Sequence, residues 1–196
     1  MAVASHRDER WGFAVRIVVG VSGASGASYA YALLQNLGDA DVDLVISEDA
    51  KKVIAAETDL GVKAFEKLAA NAYANDDTTA PPASGSYRFD AMVVIPCSMG
   101  TLGKIAWGMS DNLLTRTAAV CMKEGRKLIL VPRETPLAAT HLENMLKLAN
   151  QGVVILPAMP AFYHGPKTMD DLVNFVVGKA LDQLGIEHRL FKRWRE

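Results

Sequence analysis

Residues 15–38, VRIVVGVSGASGASYAYALLQNLG, pass from a β-branched run through a glycine-rich turn into an Ala/Leu/Tyr stretch that stops at Gly38. That order predicts strand Val15 to Val21, a turn over SGASGAS and a helix. The same motif recurs along the chain. Val42 to Ser47 (VDLVIS) is followed by a helical pattern from Asp49 to about Thr58, and Ala91 to Ile95 by Pro96, CSMGT and helices near Leu102–Trp107 and Asn112–Glu124. Lys127 to Val131 and Val153 to Leu156 complete five expected strands. Thr135-Pro136 reads as an N-cap with Pro at the first helical position, ahead of a helix carrying Leu142, Met145, Leu146 and Leu148. Thr168 with Asp171 reads as a capping box opening a last helix that ends near Gly185.

Nearly all-apolar strands alternating with helices predict an α/β, doubly wound parallel sheet in a three-layer αβα arrangement. The expected organisation is a polar arm (1–14), one domain (15–185) and a basic tail (186–196). Gly61 to Tyr87, dense in Asn, Asp, Thr, Pro and Ser, is expected to be a long loop or insertion. The chain has 196 residues, half of them apolar, with 21 Lys and Arg against 22 Asp and Glu. A net charge of -1 gives no broad field for nucleic acid or anionic lipid, so anion binding must be local. The first residues contain no signal-like apolar stretch, and no run approaches the ~20 residues of a membrane helix, so the expectation is a cytoplasmic protein. Cys97 and Cys121 lack CxxC spacing and are expected to be buried, reduced thiols.

In open parallel sheets ligands sit beyond the strand C-termini. Every polar cluster of interest follows a strand: VGVSGASGA, ISEDA, PCSMGT, PRETP and PAMPAFYHGPK. The first offers close backbone approach at Gly20, Gly23 and Gly26 and amides at a helix N-terminus, a seat for phosphate or merely a sterically required turn. GxxxxGK[ST] is absent, the glycines do not match GxGxxG, and GVSGA around Ser22 lacks the last glycine of a nucleophile elbow. His6, His141, His164 and His188 are scattered, so no metal site is expected. Candidate charged residues are Glu57, Arg116, Lys123, Arg133, Glu134 and Lys179, with Tyr163. For most of these a solvated helix face is the alternative; Arg133 and Glu134 stand directly behind a strand and face the crevice.

VGVSGASGA (19–27), SGS (84–86), PCSMGTLGKIAWG (96–108), DNLLTRTAAVCMKEGRKLILVPRETPL (111–137), HLENMLKLANQGVVILPA (141–158) and PAFYHGP (160–166) occur in this order. As a series they are highly specific, and from Val15 to Trp194 the chain resembles the UbiX/Pad-type flavin prenyltransferases. The resemblance implies a flavodoxin-like fold, FMN as cofactor, and a homododecamer whose sites are completed by neighbouring subunits. It implies transfer of a dimethylallyl group from dimethylallyl phosphate to N5 and C6 of reduced FMN, making the prenylated flavin of UbiD-type decarboxylases, as in ubiquinone biosynthesis.

By the same resemblance, FMN would contact Gly23, Ala24, Ser25, Ser47, Ser98, Met99, Gly100, Thr101 and Arg116. Dimethylallyl phosphate would meet Lys123, Arg133, Glu134, Tyr163 and Lys179, while Ser25 and Glu57 would stand beside the flavin N5 edge and Glu134 would serve catalysis with them. Trp107 is a candidate π face for an allylic cation. Two positions depart from the family pattern: Lys179 stands where Arg is usual, and DDTT (76–79) where some members carry Trp. The alternatives are a non-catalytic FMN-binding accessory subunit of a hydroxyarylic acid decarboxylase, or a flavin-dependent cysteine decarboxylase, whose PASANT and PxMNxxMW motifs are absent. Met122, Leu113, Leu114, Phe191 and Trp194 are expected to supply apolar surface for assembly.

Overall fold

The computed structural model describes residues 15–195; the arm 1–14, with His6, lies outside them, as does Glu196. Six strands form one parallel sheet: β1 (Arg16–Val21), β2 (Asp41–Ile46), β3 (Asn71–Ala74), β4 (Ala91–Cys97), β5 (Lys127–Pro132) and β6 (Val154–Ile155), in the order β3-β2-β1-β4-β5-β6. Every neighbouring pair is parallel, with Val19 facing both Leu44 and Val93. β1, β2 and β4 are buried along almost their whole length because helices cover both faces.

The helices are α1 (Ala27–Asn36), α2 (Glu48–Glu57), α3 (Val62–Glu66), α4 (Met99–Ala106), α5 (Leu113–Lys123), α6 (Ala139–Ala149) and α7 (Met169–Leu184). Ile17, Val19 and Val21 turn to one face, where Leu33 of α1, Ile54 of α2, Phe65 of α3 and Val177 of α7 enclose them. Val18, Val45 and Val94 turn to the other, against Leu102 of α4, Leu114 of α5 and Leu148 of α6. The period of two along each strand thus builds two cores on one sheet.

Three expectations are corrected. Gly61 to Tyr87 is not an insertion: it contains α3, the edge strand β3 and a 3-10 turn at Pro81–Ala83. Without β3 the five anticipated strands follow the flavodoxin-like order, and β3 extends it on the β2 side. Thr135 is not an N-cap; the Thr135-Pro136 bond is cis, and α6 starts at Ala139, where the Ala138 N–H donates to His141 Nδ1 at 3.2 Å. Leu113 and Leu114 are fully buried in the core and offer nothing to an interface. Exposed apolar groups lie elsewhere, at Trp107, Leu142, Leu146, Phe162 and Trp194 among others.

Candidate active site

The winding of the sheet reverses between β1 and β4, and at that point their C-terminal ends open a crevice. Ser22, the first residue beyond β1, is buried and stitches the two ends together. Its hydroxyl donates to the Pro96 carbonyl at 3.0 Å and accepts from the Ser98 N–H at 2.7 Å. Ser22 is therefore a brace rather than a nucleophile.

Beyond it the chain turns through Gly23, Ala24 and Ser25 to Gly26, which caps α1 with φ at 116°, a left-handed conformation that favours glycine. The amides of Gly26 and Ala27 are taken by a side chain of the protein itself. Glu57 Oε2 accepts from the Gly26 N–H at 2.8 Å and the Ala27 N–H at 3.0 Å, so the protein's own carboxylate occupies the N-terminus of α1. Partial burial works against the Glu57 anion, but hydrogen bonds from Ser25, Gly26 and Ala27 and the nearby charge of Arg133 outweigh it and lower its pKa. Arg133, placed by the end of β5, donates from Nε to the Ser25 carbonyl at 3.1 Å. Ser25, Glu57 and Arg133, far apart in sequence, form one cluster. Beside it Glu134 bends onto its own backbone, accepting from the Thr135 N–H at 3.0 Å.

Ser47 and Ser98 follow β2 and β4, on either side of β1, and each caps a helix. Ser47 Oγ accepts from the Ala50 N–H, and Ser98 Oγ accepts from the Thr101 N–H and lies 3.0 Å from its hydroxyl. Met99 is buried and Gly100 exposed at the start of α4. These hydroxyls and helix N-termini, with the exposed Gly23 and Ser25, form a polar donor set suited to a flavin mononucleotide's ribityl and phosphate oxygens. Among the described residues, no three His, Cys, Asp or Glu side chains are grouped to hold a metal ion. Burial pushes both thiols up, Cys121 to about 12.

The remaining candidates fall in three other places. Tyr163 packs edge-on against Phe175 and Trp194, with ring centroids 5.9 and 5.3 Å apart, while His164 stacks on Phe175. Lys179 Nζ lies 3.3 Å from Asp182, which also takes Arg193 at 2.7 Å and faces His188 Nε2 at 3.1 Å. The basic tail thus folds back onto α7. Arg116 and Lys123 line a cavity of about 420 Å³ with Ser84, Gly85, Thr78 and Thr79. α5 begins beside Asn75, at the C-terminal end of β3, and ends just before β5 begins. Lys123 therefore sits near the N-terminal edge of the sheet, away from Ser25 and Arg133 in the same protomer. Trp107 belongs to the α4–α6 surface: its indole N–H donates to Asn144 at 3.0 Å and Lys147 lies 3.7 Å from its ring centroid.

Sequence reasoning missed Ser22 as a brace and missed Arg126, which donates to the carbonyls of Gly85 and Tyr87. Both act on backbone groups of distant segments, and residue type alone carries no signal for that.

A family profile described as Flavoprotein matches residues 6–181. A flavin prenyltransferase UbiX of Methanocaldococcus jannaschii is 54% identical, the match covering 92% of this chain and 98% of that protein. The crystal structure of a dodecameric FMN-dependent UbiX-like decarboxylase from Escherichia coli O157:H7 superimposes with a TM-score of 0.91 at 46% identity, covering 93% of this chain and all of that one. The crystal structure of AnUbiX in complex with FMN and dimethylallyl pyrophosphate gives 0.92 at 41% identity, covering 94% and 99%. With its sheet order, its switch-point crevice and this likeness along almost its entire length, the chain belongs to the UbiX flavin prenyltransferases of the flavoprotein family.

Proposed function

We propose that the protein joins the dimethylallyl group of dimethylallyl phosphate to N5 and C6 of reduced FMN, and that the prenylated flavin so made serves a UbiD-type decarboxylase. The observation that carries this reading is the Ser25–Glu57–Arg133 cluster at the crevice between β1 and β4. Gly23 to Ser25, Ser47, Ser98 to Thr101 and Arg116 would hold the flavin, whose reduced ring supplies the nucleophilic N5 and C6. Glu57, anchored on two amides and kept anionic, holds the Ser25 hydroxyl and would present it to the flavin ring. Breaking an allylic C–O bond calls for preorganised cations and donors on the departing phosphate. Arg133 and Tyr163 would supply these from beyond the strand ends and Lys179 from α7, and Glu134 would orient the phosphate and the proton it carries away.

Lys123, at the far end of α5, stands apart from the crevice within one protomer, and this separation supports a shared site. We read the assembly as a dodecamer, like that of the E. coli relative, in which the cavity on α5 of one subunit closes the crevice of another. A single catalytic unit over 15–185 is supported by the one sheet, and the tail folds back onto its last helix through His188, Phe191 and Arg193. No helix among the described residues is long and apolar enough to cross a membrane, and with two buried free thiols a cytoplasmic location is the reading we adopt. The test is mass spectrometry of the flavin after anaerobic incubation with reduced FMN and dimethylallyl phosphate. A gain of one C5H8 unit is expected, and a flavin of unchanged mass overturns the proposal.

A further inference from the structure

The turn that lines the α5 cavity is shaped from behind by a side chain that does not line the cavity. Ser84 and Gly85 face the cavity with Lys123 and Arg116. Three carbonyls of the same turn are taken up by arginines: Ala83 accepts from Arg116 Nε at 3.3 Å, Gly85 from Arg126 Nη2 at 2.8 Å, and Tyr87 from Arg126 Nη1 at 2.9 Å. Arg126 stands between α5 and β5, where its own N–H donates to the Cys121 carbonyl at 2.8 Å. Its guanidinium lies over the ring of buried Phe89, 4.3 Å from the centroid. The far end of the turn is pinned too, because the Tyr87 hydroxyl donates at 2.8 Å to the fully buried Asp43, which also accepts from Asn71 Nδ2 at 3.0 Å. At Gly85 the backbone runs so close to α5 that an added Cβ would collide with Glu124 and with Lys123 Nζ, 2.6 Å away. The conformation of the turn and the location of the Lys123 ammonium are thus coupled.

We propose that Arg126 is a positioning residue for substrate binding. It turns the Gly85 and Tyr87 carbonyl dipoles away from the cavity, so that an arriving phosphate meets Ser84 and the Lys123 ammonium, which it would draw from Glu124, without opposing carbonyl charge. This rests on reading the cavity as part of the phosphate site. A planar fork reaches two carbonyls at once while stacked on a ring, and a lysine ammonium cannot reproduce that.

The test measures binding without turnover, by calorimetric titration of dimethylallyl phosphate into the assembled protein loaded with oxidised FMN. Arg126→Lys is expected to weaken binding about tenfold, as for the loss of one charge-assisted hydrogen bond, and to raise KM in step while kcat and FMN affinity stay within about twofold. Methylguanidinium is expected to restore part of the affinity of Arg126→Ala. Binding by Arg126→Lys within about twofold of the parent, or an equal loss of FMN affinity, overturns the assignment while leaving the prenyl-transfer reading intact. A parent protein that binds no dimethylallyl phosphate overturns both.

Discussion

Ser22 concentrates in one hydroxyl the link between the two strands that flank the crevice, since it serves both the Pro96 carbonyl and the Ser98 N–H. Ser22→Ala leaves that amide without its acceptor in a buried setting. A cost of about 1–3 kcal/mol is expected, read as a fall in the melting midpoint of about 2–4 °C per kcal/mol. An unchanged midpoint would mean that water replaces the hydroxyl. A second residue with a measurable signature is Asp182. Burial alone would raise its carboxyl, but hydrogen bonds from Arg193, Lys179 and His188 hold it at about 2, below its ordinary 3.8. Because the folded value is the lower one, this stabilisation is fully present above the ordinary carboxylate range and is lost as pH falls through about 2. Asp182→Asn removes that component. Its urea midpoint is expected below the parent's at neutral pH, with the gap closing as pH falls from about 4 toward 2. A gap independent of pH would show that the carboxylate's charge does not stabilise the fold.

Helix α7 shows how far an element is legible from local sequence. Its start is a reciprocal cap, in which Thr168 Oγ1 accepts from the Asp171 N–H at 3.2 Å while Asp171 accepts from the Thr168 N–H at 2.9 Å. Its end is Gly185 at φ 74°. Thr168→Ala should cost about 1 kcal/mol in chemical denaturation, and Thr168→Ser almost nothing; equal losses would assign the effect to packing of the threonine methyl. The four long apolar strands β1, β2, β4 and β5, and the two-residue β6, were legible for the same reason, since period and punctuation sit in the element itself. β3 was not: NAYA has no β-branched residue and is largely exposed, and it is a strand only because β2 lies beside it, Asn71 facing Asp43. Thr135-Pro136 carried the local signs of a helix start, yet the helix begins three residues after the proline. Site residues divide along the same line. Arg133 was legible from its place behind a strand and Glu57 through the family resemblance, whereas the Glu57 contact with the amides of α1 depends on how α1 and α2 pack.

At the scale of the whole molecule, the direction of α5 decides how the site is built. The ends of β1 and β5 carry Ser25 and Arg133, joined by Glu57 of α2, and α5 carries Lys123 toward the opposite edge of the sheet, so the two sets stand apart in a single chain. If the cavity of one subunit closes the crevice of another, two defects in different chains can complement each other. Arg133→Ala damages only the crevice side and Lys123→Ala only the cavity side, and each homogeneous assembly is expected to form prenylated flavin far more slowly than the parent. Co-expressed and assembled at random in equal amounts, the two variants leave about one site in four with an intact crevice facing an intact cavity, so about a quarter of the parent's activity should return. Mixing the two purified assemblies without subunit exchange supplies the control and should recover nothing. Recovery in the co-expressed sample alone assigns the site to an interface. No recovery in assemblies verified by mass spectrometry to be mixed would instead mean that both residues act within one protomer, and that Lys123 reaches the crevice by a movement of α5.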